Sequence, residues 1–99
     1  MKRRLEFGAV LEVVERIKRE GWDQFSNRHG DWGRDMVFFL ARPAVAGGMT
    51  LKQLGERADS LDSWAVSKGI LRFEARLEKD PELRELLALA NSQLSKVPI

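Results

Sequence analysis

The chain has no cysteine, no tyrosine and a single histidine, His29, among its 99 residues. Without cysteine there are no disulfides, no thiol catalysis and no cysteine-ligated zinc. One histidine and no thiol leave the loop around His29 without the ligand supply a metal site needs, so neither metal nor cofactor is expected. Nucleophilic catalysis through histidine would have only His29, in a segment where no motif places a serine. Carboxylates are plentiful, but at ordinary helix-surface spacing, so neither an enzyme nor a small-molecule substrate is expected. No apolar run approaches the ~20 residues of a membrane span, and no membrane partner is expected. The opening MKRRLEFGAVLEVVERI sets basic residues before an apolar stretch, yet Glu6, Glu12 and Glu15 interrupt it, unlike a signal peptide. A soluble, cytoplasmic protein is the default.

What remains is one domain's worth of helix-forming sequence. Hydrophobic residues make up 43% of the chain, enough for a single modest core and against wholesale disorder. No stretch alternates as a half-buried strand would, and there is no repeat or low-complexity segment. The expected fold is all-α, a compact bundle of about six helices spanning residues 1–99. The net charge of +2 is mild, so its distribution matters more than its sum. Arg28, His29, Arg34 and Arg42 cluster before residue 50 with few acids between them, while acids gather in the first helix and the last third. A mixed, solvated surface is the plain alternative.

In chain order, Phe7, Val10, Leu11, Val14 and Ile17 predict a helix over 5–20, with Gly21 as its stop. Arg16, Lys18 and Arg19 suit that helix's negative end and are expected to be dipole partners and solubility residues. Residues 21–25 predict a single turn pinning Trp22 and Phe25 into the core, and 26–33 a polar loop. Arg28 in that loop is either a surface charge or a phosphate clamp. Met36, Val37, Phe39 and Leu40 mark a buried central helix from about Trp32 to Arg42, ended by Pro43. Gly47 and Gly48 form a turn, with no phosphate-binding glycine motif around them. Asp80 as cap and Pro81 at the first helical position open a last helix, about 81–94, whose leucines pack onto the bundle or onto a second copy. The final SKVPI is expected to fray.

The most informative stretch is TLKQLGERADSLDSWAVSKGILRFEARL, 50–77. Thr50 and Gln53 form a capping box, Asp59 and Ser60 break the helix, and Asp62 caps a second helix with Leu61 as a staple to Val66. Val66, Ile70, Phe73 and Leu77 form its apolar stripe, and Ser63, Trp64, Ser67, Lys68 and Arg72 lie opposite. A short helix holding out a longer one with a polar, basic face predicts a helix-turn-helix, with a recognition helix at about 63–78.

The segment LKQLGERADSLDSWAV resembles, without a gap, the LPEIGxxFGGRDHTTV signature of the DNA-binding C-terminal domain of DnaA, the bacterial replication initiator. Leu51, Leu54, Gly55, Asp62 and Val66 occupy the matching positions. The order of elements is similar too, over roughly 8–78, within the wider class that includes the Trp repressor. GGMTLKQLG and AVSKGILRFEARLEKD look closer still to versions of this module appended to REP-associated tyrosine transposases. The departures are specific. Ser63, Trp64 and Ala65 stand where the initiator has its His-Thr-Thr reading triplet, Leu61 replaces an arginine, and Asp59-Ser60 replaces a glycine pair. No phosphate-binding loop of an ATPase is present, nor the paired histidines and tyrosine of a transposase core.

The resemblance and the residue pattern imply a double-stranded DNA-binding module, bacterial and nucleoid-associated when bound. Ser63, Trp64 and Ser67 are expected near base edges, and Lys68 and Arg72 at phosphates or guanine. Ser60 and Asp62 adjoin them, with Asp62 first of all a cap. By the resemblance, Arg28 would reach the adjacent minor groove or backbone; Lys52 would meet phosphate beside the supporting helix. Each has a plainer reading: Trp64 can pack on the central helix, and Arg72 and Arg76 can pair with Glu74, Glu78 or Glu56. So few basic side chains neutralise few phosphates, so a homodimer or a larger parent protein would supply the remainder. The alternative is a helical protein-interaction module, docking or dimerising through the last helix without DNA.

Overall fold

Six helices form among the described residues of the computed structural model, which are 6–28, 30–45 and 47–95. They are α1 (Phe7–Lys18), α2 (Trp22–Phe25), α3 (Gly33–Leu40), α4 (Leu51–Arg57), α5 (Ser63–Lys79) and α6 (Pro81–Leu94). The architecture is all-α. His29 and all of the SKVPI tail except Ser95 lie outside the described residues.

α1 stops earlier than the glycine predicted. Arg19 itself takes the left-handed conformation (φ 58°), with its N–H on the Glu15 carbonyl. Gly21 instead begins the next element: its carbonyl accepts the Gln24 N–H at 2.9 Å and its N–H donates to the Gln24 side chain at 2.8 Å. The short α2 then seats Phe25 fully in the core, while Trp22 is half-buried and meets Phe7 and Phe25 edge-on, with centroids 5.8 and 5.6 Å apart.

α3 lies at the centre, packed on α1, α2 and α5. Met36, Val37 and Phe38 are fully buried. The sequence pattern selected Phe39 over Phe38; in the fold Phe39 is half-buried, its ring 5.0 Å from that of Phe73. The helix ends at Leu40, before proline can act, where Ala41 donates to the Val37 and Phe39 carbonyls. Removing a phenylalanine such as Phe38 from water stabilises by about 1.5–3 kcal/mol, and α3 buries Met36, Val37 and Leu40 beside it.

The last helix begins where its cap dictates. Asp80 Oδ1 accepts the Leu83 N–H at 3.0 Å, and Pro81 occupies the first turn, where no amide donor is needed. Leu83, Ala90 and Leu94 are buried, so α6 closes its own bundle against α1 and α5. This leaves α3 behind α5 and α4 at its flank, with the outer face of α5 uncovered.

Candidate nucleic-acid interface

The α4–α5 unit is built from a few local hydrogen bonds. Thr50 Oγ1 accepts the Gln53 N–H at 3.1 Å and the Gln53 side chain accepts the Thr50 N–H at 2.9 Å, closing the capping box. After Arg57 the chain reverses through Asp59 and Ser60, both left-handed at φ 59° and 60°. Leu61 N–H then returns to the Gly55 carbonyl at 2.9 Å. A Cβ on Gly55 would collide with the Leu61 carbonyl oxygen, so the turn can fold back this closely only over glycine. Asp62 caps α5 by accepting the Ala65 N–H at 2.8 Å.

Val66, Gly69, Ile70 and Phe73 bury one side of α5. On the other side Ser63, Trp64, Lys68, Leu71 and Arg72 are exposed and Ser67 is half-buried. Trp64 does not pack on the central helix: it is 67% exposed, with the Lys68 ammonium 4.4 Å above its ring. Lys68 has no carboxylate partner among the described residues. Leu71, 62% exposed, joins this face although the sequence reading passed over it; its signal was the seven-residue spacing from Trp64, two helical turns. Ser60 and Asp62 at the turn and Lys52 on α4 are also exposed.

The basic loop differs from expectation. Arg28 is held by Glu20 (2.6 Å) and Asp31 (2.9 Å), so its charge is answered within the protein. Lys18 is no solubility residue either. Its side chain is 6% exposed, its ammonium 2.8 Å from Asp31 and 4.2 Å from the Trp32 ring centroid. The network shifts its own titrations. Arg28's hydrogen bond holds Glu20 below the usual carboxylate range, and Glu20 in turn raises Arg28. Burial opposes ionisation of Asp31, but hydrogen bonds from Lys18 and the Gly33 N–H, with attraction from both cations, outweigh it and hold Asp31 low.

Arg72 and Arg76 also find partners other than the neighbouring glutamates. Arg72 pairs with Asp35 of α3 through Nε (2.8 Å) and Nη2 (3.0 Å), a contact that raises its pKa further. Arg76 donates to the Gly30 carbonyl at 3.0 Å. Together with Arg28 and Arg34 they line a polar cleft of about 340 Å³ between α5 and the loop before α3. Asp35 went unnoticed in sequence, and its signal was a lone carboxylate next to Met36 on an apolar helix.

Helical spacing puts Ser63, Trp64, Ser67 and Lys68 on one side of α5, while Ser60, Asp62 and Lys52 are exposed at the turn and on α4. It ties Arg28 and Arg72 to internal carboxylates. Among the described residues no group of histidine and carboxylate side chains could hold a metal, and no helix is long and apolar enough to cross a membrane. Comparison of the chain with protein-family models, with curated proteins and with solved structures finds no match.

Proposed function

We propose that this chain binds double-stranded DNA through a helix-turn-helix, with α5 entering the major groove. The observation that carries the reading is the outer face of α5. It projects from a tightly closed turn, is uncovered by the bundle, and carries Ser63, Trp64, Ser67 and a Lys68 with no carboxylate partner among the described residues over its first two turns. Side chains near the start of a recognition helix are the ones that meet base edges. The left-handed Asp59 and Ser60, at positions glycine occupies in the initiator signature, support the same architecture.

Roles divide by chemistry. Serine hydroxyls at Ser63 and Ser67 can donate to or accept from base edges, and Trp64 offers an apolar surface to a thymine methyl. Lys68 and Lys52 serve as phosphate contacts. Arg28 is the least suited, since reaching the backbone means giving up Glu20 or Asp31. The chain supplies the binding function only, without an enzymatic step. Selection of bound duplexes from a random pool tests the reading. Enrichment of a common site supports it, and a pool that stays random at low salt contradicts it.

A second reading rests on Trp64 and Leu71, which expose two large apolar side chains on one stripe of α5. Such a stripe also suits a protein partner. In that case duplex DNA produces no shift even at low salt, and changing Trp64 to alanine abolishes association with the partner. The terminal helix is less suited to docking, since Leu83, Ala90 and Leu94 are already buried.

A further inference from the structure

Arg72 is not held as a free surface cation would be. Asp35 takes its Nε–H and one hydrogen of Nη2. A guanidinium carries five N–H donors in a rigid planar fork, so this side-on pairing leaves the end-on edge, Nη1 and the second Nη2 hydrogen. That edge has no protein acceptor among the described residues, and the side chain is 56% exposed. Asp35 is fixed from behind: its side chain is 6% exposed, on a central helix packed beneath α5. Gly69 makes the approach feasible, because a Cβ there would lie 2.8 Å from Asp35 Oδ1.

Two consequences follow from this geometry. The pair is neutral overall, so it gains little from phosphate, where attraction depends on net charge. The remaining edge presents two parallel donors in a fixed plane, the arrangement that matches O6 and N7 of guanine in the major groove. We infer that Arg72 reads one guanine of the bound site, with Asp35 as the positioning residue that aims it. The inference rests on the duplex-binding reading above and adds a base identity to it. Lys68, with no carboxylate partner among the described residues, keeps the backbone role.

The test uses a duplex selected by the wild-type chain, with each guanine replaced in turn by 7-deazaguanine, which removes only N7. One position is expected to weaken binding by about 3- to 10-fold, part of the value of a bidentate contact. Arg72→Lys retains the charge but not the fork and should erase that penalty. Asp35→Asn should shrink it, with folding checked by melting. A penalty that persists undiminished in Arg72→Lys overturns the guanine contact, as does a selected site without guanine. A penalty unchanged in Asp35→Asn overturns the positioning role. A wild-type chain that selects no duplex at all overturns the helix-turn-helix reading itself.

Discussion

Asp59 and Ser60 hold the reversal between α4 and α5 in the left-handed region, where a side chain costs about 1–2 kcal/mol and aspartate less than most. Ser60→Gly should therefore stabilise the fold by up to about 1 kcal/mol, read as a raised melting temperature. Gly55 has the opposite character. Any Cβ there meets the Leu61 backbone, so Gly55→Ala should lose about 1–3 kcal/mol, and unchanged melting would mean the turn is looser than described. Arg72 and Lys68, both basic and exposed, differ sharply at this scale. Arg72→Ala strands the buried Asp35 carboxylate and should lower stability by about 1–3 kcal/mol in denaturant titrations. Lys68→Ala strands nothing and should leave melting unchanged. Lys68 is thus the cleaner probe of any DNA contact.

Helices were legible where their ends carry local chemistry. Asp80 and Pro81 fixed α6 to the residue, and the Thr50–Gln53 box and Asp62 fixed α4 and α5, because caps act within one turn of chain. Asp62→Ala and Asp80→Ala should each cost about 1 kcal/mol in chemical denaturation, since each removes an acceptor from an orphan amide. Legibility failed where the decision was tertiary. Arg19 adopts a conformation that glycine usually takes, and Phe38 is buried ahead of Phe39 because α3 faces α1 and α5 together. Phe38→Ala should accordingly cost about 3–5 kcal/mol, more than the same change at half-buried Phe39. The partner of Arg72 was equally invisible, since Arg72 and Asp35 are separated by 37 positions.

Across the whole molecule the mild net charge conceals an internal pairing of cations with acids around the loop before α3. The carboxylates there ionise more readily in the fold than in the unfolded chain. For a depressed carboxylate the folded state binds fewer protons than the unfolded one. Its stabilisation is therefore complete above the unfolded value near ~4 and is lost as pH falls through the lower folded value. Melting followed from neutral to acid pH should show this loss, and Asp31→Asn should flatten it. The same internal pairing ties up Lys18 and Arg28, while Lys52 on α4 and Lys68 on α5 have no carboxylate partner among the described residues. Duplex binding by this chain should therefore draw its salt dependence from Lys52 and Lys68 rather than from Arg28.

That dependence is also the most direct measurement. A fluorescent duplex selected by the chain is titrated by anisotropy across a salt series, with wild-type protein and with Lys68→Ala. For the wild type, log K should fall linearly with log salt. For Lys68→Ala, binding should be weaker and the slope shallower by about 1, at unchanged melting. No anisotropy change at low salt, or identical affinity and slope for the two proteins, would contradict the placement of α5 against DNA.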